Sequence, residues 1–166
     1  TKNRYVGEAK FLRALSYFYL VRMFGDVTIQ DIKDEASNSV RKPKAEVYAY
    51  IEADLLDAIA KLPHKNEYQA KDLGRATKGA AQSLLAKVYL YQGKNQQAYD
   101  MATTVVNSGL YDLETDYATT WRVETENGKE SIFEIQARGA AVAHGVQQYS
   151  ETQGARGTSG WGWGFN

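Results

Sequence analysis

Residues 8–26 read EAKFLRALSYFYLVRMFGD, and the fold is read from this stretch first. Phe11, Leu12, Leu15, Phe18, Tyr19 and Met23 recur at spacings of three and four, the period that gathers side chains on one face of an α-helix. Ala9 and Ala14 are small enough to admit a neighbouring helix, and Tyr17 and Val21 widen the apolar stripe beyond that of an exposed helix. Arg13 and Arg22 are expected along its edges, as structural pairs or with stems on apolar surface and charged ends in water. Gly25 stands where a left-handed C-terminal cap is needed, and Asp26 opens the exit turn. A helix this aromatic needs neighbours on more than one side. The expectation is therefore a mainly α fold built as a stack of helix pairs.

The rest of the chain supports that expectation as far as Gly109. Residues 27–43 are polar and charged and read as a surface loop. A second helix follows over Lys44–Leu62, with Val47, Ile51, Leu55, Ala58 and Ile59 on one stripe, and Pro63 ends it by breaking the hydrogen-bond ladder. PHKNEYQAKDLG is a second solvent loop. Thr77 is the expected N-cap of a third helix, in which Ala80, Ala81, Leu84, Leu85, Val88 and Tyr89 face inward. Gly93 turns the chain into a fourth helix over Asn95–Asn107, carrying Ala98, Met101, Ala102 and Val105, and Ser108-Gly109 stops it. Ala86, Tyr89, Gly93, Ala98 and Ala102 occupy the small, aromatic and turn positions of a tetratricopeptide repeat of about 34 residues. The expected architecture is a tetratricopeptide-like solenoid over residues 1–109, decorated by a long loop after the first helix.

Residues 110–166 read as an irregular, loop-rich region of the same single domain. LYDLETDYATTWRVETENGKE has turn residues and scattered aromatics without a helical period. Ser131–Ala137, SIFEIQA, is expected to be a short strand. From Gly139 onward the chain holds seven of its 14 glycines, together with Trp161, Trp163 and Phe165.

Composition narrows the function classes. The chain has 166 residues, enough for one domain with a core, and its 20 basic residues balance 20 acidic ones. No nucleic-acid surface built from bulk charge is expected. There is no Cys, which excludes disulfides and thiol chemistry within these residues. The opening TKNRYVGEAK has no apolar run behind a basic start, and the missing initiator Met and the ending GWGWGFN are expected of a fragment or processed product. His64 and His144 sit in different loops without metal-ligand spacing, so no metal site is expected. Ser159 has Trp161 where a nucleophile elbow needs Gly. Gly74 and Gly79 lie five apart, but no Lys-Ser/Thr pair follows to cradle a phosphate. No carboxylate stands in an apolar setting that would tune a catalytic acid. Neither an enzyme nor a cofactor is expected.

Four stretches in order, EAKFLRALSYFYLVRMFGDV, GRATKGAAQSLLAKVYLY, VVNSGLYDL and ESIFEIQ, resemble the SusD/RagB family of nutrient-binding lipoproteins. The resemblance implies a tetratricopeptide-like scaffold carrying a loop-rich ligand site, and a non-catalytic protein on the outer face of the Gram-negative outer membrane. It further implies attachment through an N-terminal lipid absent from this chain. It implies a SusC-like TonB-dependent transporter as partner, and a glycan or a peptide as ligand. The family's lipidated Cys, the region before the first helix and the long C-terminal half have no counterpart in these residues.

The Gly-rich tail holds the expected ligand contacts. Trp161 and Trp163 flank Gly162, so an extended backbone would put both rings on one side, where they could stack on the C–H face of a sugar. Tyr149, Gln153 and Arg156 would add polar contacts. The other reading of the two rings is packing against the remainder of a longer protein. A general tetratricopeptide adaptor, holding a peptide in its concave groove, is the alternative function.

Overall fold

The computed structural model describes residues 2–30 and 40–136. All but two of these lie in one compact unit, Thr1–Glu134; of the second unit, Ile135–Asn166, residues 135 and 136 alone are described. The architecture is mainly α. Helix α1 (Lys2–Phe24) leads into a two-residue strand β1 (Val27–Thr28), which pairs antiparallel with β2 (Arg41–Lys42). Helices α2 (Lys44–Lys61), α3 (Lys78–Tyr91) and α4 (Asn95–Val106) follow, and each helix packs on the next in a tetratricopeptide-like series.

Local signals place most of the breaks where the sequence does. Gly25, Gly93 and Gly109 all take positive φ (70°, 73° and 65°), the conformation that stops a helix without a steric penalty. The Thr77 hydroxyl accepts the Ala80 amide at 3.1 Å and caps α3 as expected. Helix α2 starts at Lys44 behind Pro43, which has no side chain to cap it. Asp26 supplies the cap from across the ribbon, accepting the Lys44 amide at 2.8 Å. Arg41 donates to the carbonyls of Asp26 (2.7 Å) and Phe24 (3.1 Å), so the ribbon also satisfies the end of α1.

The first helix differs from expectation in two ways. It starts at Lys2 rather than Glu8, and its buried residues are Gly7, Phe11, Ala14, Phe18 and Val21. Leu12, Tyr19 and Met23 are exposed on the far side, as is Ala9. At about 100° per residue, two stripes of the same period fit on opposite sides of one helix, and the spacing alone does not separate them. Gly7, not Ala9, admits the neighbour: a Cβ there would meet Leu62 at 3.0–3.1 Å and Lys61 at 3.2 Å.

Phe11, Phe18, Val21, Val47, Ile51, Leu55, Leu85 and Val88 are the largest fully buried side chains. Each contributes about 1.5–3 kcal/mol by leaving water. Among the described residues none beyond Val105 is buried to that class, so the stability of residues 110–134 is borrowed from the helices. Among the described residues two polar side chains are buried, Asp54 and Thr77. Asp54 is 3% exposed and takes both nitrogens of the Arg13 fork at 2.7 Å, with Lys10 at 3.8 Å. It stands on the Ile51–Leu55–Ala58 face of α2, where the paired Arg13 offsets the burial of its charge. The pairing holds the Arg13 guanidinium further toward its charged form.

The expected strand over Ser131–Ala137 is absent in residues 131–136. A strand puts consecutive side chains on opposite faces. Here the neighbours Ile132 and Phe133 both pack against the core, Phe133 meeting Phe11 edge-on at 4.9 Å. The short sheet of the fold is the β1–β2 ribbon instead, inside what reads as a surface loop.

Candidate ligand-binding region

Polar side chains fasten the segment after α4 to the start of α3 and to the loop before it. Tyr111 lies over the start of α3, its hydroxyl 3.1 Å from that of Thr77, and burial pushes its phenol up despite that hydrogen bond. Gly79 makes the room: a Cβ there would fall 2.4 Å from the Tyr111 hydroxyl oxygen and 2.6–2.8 Å from two of its ring carbons. The Lys65 ammonium packs over the same ring and donates to the carbonyls of Gly128 and Ser131 (2.8 Å to the latter). Burial lowers its pKa, against the raising influence of Glu134. Between these fixed points the Glu130 carboxylate accepts from the Glu114 amide (2.8 Å) and the Thr120 hydroxyl (3.1 Å), and Asp112 donates its amide to the Lys129 carbonyl at 3.1 Å.

This framework holds a one-and-a-half-turn 3-10 segment, Tyr117–Trp121, capped by Asp116. Tyr117 and Trp121 stand edge to face with centroids 6.0 Å apart, and each is more than 70% exposed. Beside Trp121 opens a cleft of about 510 Å³, whose lining includes Trp121, Arg122, Val123, Ile132 and Phe133 together with the acidic residues Glu114, Glu126, Glu130 and Glu134. A flat aromatic wall with hydrogen-bonding groups around it is the composition of a small-molecule site. A second cavity, of about 20 Å³, lies between Lys65, Tyr68, Asp72 and Ser131. It has room for about one water and none for a ligand.

Around that cavity runs an ion network. Glu8 pairs with Arg75 at 2.9 Å, Arg4 with Asp72 at 3.2 Å, and Arg75 with Asp72 at 3.0 Å. The Tyr68 hydroxyl donates to the Ala76 carbonyl at 2.7 Å, and burial, then the Glu8 charge, pushes its pKa up to about 12. These groups join α1 to the loop before α3 and have a structural role. Arg22 is likewise structural, lying over the Phe18 and Tyr91 rings at 5.0 and 4.7 Å.

The expected ligand residues Tyr149, Gln153, Arg156, Trp161 and Trp163 lie outside the described residues. Sequence reading passed over Trp121 and Tyr117. Their spacing of four behind a capping Asp is the signal that marks them, and it is easily lost in a segment without longer periodicity.

A family profile for SusD-like proteins, described as starch-binding and associating with the outer membrane, matches residues 1–90. The chain belongs to the SusD-like family. A SusD-like protein of Bacteroides ovatus is 35% identical over 150 residues, which cover 81% of this chain and 26% of that protein. The starch-binding protein SusD of Bacteroides thetaiotaomicron is 32% identical over 136 residues, covering 77% of this chain and 23% of its own length. The structure of a laminarin-binding SusD-like protein superposes with a TM-score of 0.73 at 38% identity, over 79% of this chain and 30% of the other. This SusD-like chain therefore spans about a quarter of the length of the two relatives it matches. The likeness agrees with the helical-pair architecture read from residues 1–109.

Proposed function

We propose that the protein containing these residues is a non-catalytic binder of oligosaccharides at the cell surface, which passes its ligand to a TonB-dependent transporter of the outer membrane. The observation that carries this reading is the 38% identity and common fold shared with a laminarin-binding SusD-like protein. The described residues contribute the helical scaffold. The loop-rich region contributes ligand contacts, with Trp161 and Trp163 as stacking platforms and Tyr149 and Arg156 as polar partners. The supporting physical case is that Trp offers a broad apolar face at a small cost in rotamer freedom, and that ligand contacts are commonly carried on loops held by a rigid frame.

The test is calorimetry of the full-length protein with laminarin, starch and xyloglucan oligosaccharides and, in parallel, a peptide panel. Binding to a glycan supports the reading. Binding to peptides alone favours the tetratricopeptide adaptor and overturns it. Separate Trp161→Ala and Trp163→Ala variants should lose glycan affinity at unchanged thermal stability; lost stability with affinity intact makes these residues part of the core. Purification in mild detergent should bring the transporter along, and recovery of the protein alone counts against that partnership.

A further inference from the structure

Part of the cleft beside Trp121 is anchored to the helices. Ile132 and Phe133, which line it, pack against the helical core, Phe133 edge-on to Phe11 at 4.9 Å. Lys65 donates to the Ser131 carbonyl at 2.8 Å, and the Glu134 carboxylate accepts the Asn127 amide at 3.1 and 3.2 Å. Asn127 has a φ of 56°, the one positive value outside glycine among the described residues, and asparagine tolerates that conformation better than most side chains. Gly128 follows because a Cβ there would meet the Thr125 carbonyl oxygen at 2.7 Å. Residues 125–134 are therefore held in shape before any ligand arrives, so binding there orders little of the chain. The volume of about 510 Å³ falls within the ~300–1,000 Å³ of small-molecule pockets.

Two sets of groups share this cleft. Trp121 and Val123 supply apolar surface and are 73% and 75% exposed, with Tyr117 bracing the indole at 6.0 Å. The polar residues divide by what already occupies them. Glu130 accepts from the Thr120 hydroxyl and the Glu114 amide, Glu114 pairs with Lys129 at 3.7 Å, and Glu134 holds the Asn127 amide. Arg122 and Glu126 also line the cleft, and their side chains are engaged by nothing among the described residues, not even by each other. A guanidinium offers donors alone and a carboxylate acceptors alone. Each sugar hydroxyl is both donor and acceptor, so a ring whose C–H face lies on an indole can donate to one such group and accept from the other.

The lining also sets the charge that a ligand can carry. It holds four glutamates and one arginine, with Lys129 offsetting Glu114. An anionic group entering among them meets repulsion that a neutral hydroxyl does not, and it loses hydration with Arg122 as its one counter-charge in the lining. We propose that the Trp121 cleft is a saccharide site additional to the Trp161 and Trp163 contacts, which accepts neutral sugar units and rejects those carrying carboxylate or sulfate groups. The assignment rests on the reading of the whole protein as an oligosaccharide binder, and adds to it a place and a charge rule.

The test uses the full-length protein with oligosaccharides of matched length from laminarin, starch and polygalacturonate. Hydroxyl-radical footprinting of the wild type, read by mass spectrometry, reports on Trp121 directly, with Tyr99 of α4 as internal reference. A saturating neutral glycan should slow Trp121 oxidation several-fold relative to Tyr99, and the galacturonate at the same concentration should not. Unchanged oxidation of Trp121, or equal protection by the galacturonate, overturns the inference. So does a Trp121 that is shielded relative to denaturant before any glycan is added, because protein then fills the cleft. In calorimetry Trp121→Ala should bind the neutral glycan about tenfold more weakly at an unchanged thermal midpoint, and unchanged affinity overturns the site. Glu126→Gln keeps an acceptor and removes a charge, so it should leave neutral-glycan affinity nearly unchanged and narrow the gap to galacturonate; a gap as wide as in wild type overturns the charge rule. A wild type that binds none of the three glycans defeats the oligosaccharide reading and this site together, whereas glycan binding that leaves Trp121 untouched defeats the site alone.

Discussion

Replacing Gly79 by alanine sets two effects against each other. Gly79 is the second residue of α3, and alanine there gains about 0.5–1 kcal/mol of helix propensity. The added Cβ falls 2.4 Å from the Tyr111 hydroxyl oxygen and 2.6 and 2.8 Å from two ring carbons. No small adjustment relieves contacts that close, so Tyr111 must leave its seat or α3 must shift. Overpacking of this kind costs about 1–3 kcal/mol. Expelling Tyr111 also removes its hydrogen bond to Thr77, about 1 kcal/mol, and part of its apolar burial. The steric loss outweighs the propensity gain, and Gly79→Ala should destabilise the protein by about 1–2 kcal/mol. In a Tyr111→Ala background the obstacle is gone and the same substitution should become neutral or stabilising by up to about 1 kcal/mol. Urea denaturation of wild type, both single variants and the double variant gives the four numbers. Stabilisation by Gly79→Ala in both backgrounds would refute the packing of Tyr111 on α3.

Asp54→Ala should cost about 2 kcal/mol by urea denaturation, below the 3–5 expected for a sealed ion pair, because Arg13 can turn its partly exposed head to water. Ala98→Leu should cost about 1–3 kcal/mol by overpacking the α3–α4 crossing, and an unchanged midpoint would count against that crossing. Tyr68 is held neutral above its ordinary pKa of 10.0, so its contribution is whole below pH 10 and is lost as the pH rises toward about 12. Stability measured across that window should fall less steeply in Tyr68→Phe than in wild type. Asp57 has a lowered pKa through hydrogen bonds from Lys10 and Lys61, so its contribution is present above the ordinary carboxylate range and is lost on acidification; Asp57→Asn should flatten the acid limb of the stability profile.

The parts of the fold that were legible are those written locally. Thr77, Gly25, Gly93 and Gly109 act within one turn of chain, so their roles can be read without knowing the neighbours. The stripe on α1 was not separable into its inner and outer halves, because both have the same period and only the partner helix distinguishes them. Asp54 shows the complementary failure. Its position on the apolar face of α2 was visible, but the fork that makes it tolerable comes from Arg13, 41 residues earlier. In the candidate region, Tyr117 and Trp121 are near neighbours in sequence, yet the segment around them is held by contacts distant in sequence, Lys65 with Ser131 and Thr77 with Tyr111.

The Thr77 hydroxyl does two things at once: it caps α3, and it meets Tyr111 at the root of the loop-rich segment. This imposes a hierarchy of opening. The loop segment can detach while Thr77 keeps its bond to Ala80 and the helices keep their core, but α3 cannot unwind from its first turn without releasing Tyr111. Amide hydrogen exchange should therefore resolve two cooperative units. Amides of residues 110–134 would exchange through a cheaper, subglobal opening, and those of α2 and α3 through global unfolding alone. Residues 110–134 would then open on their own timescale, without the scaffold beneath them losing registry.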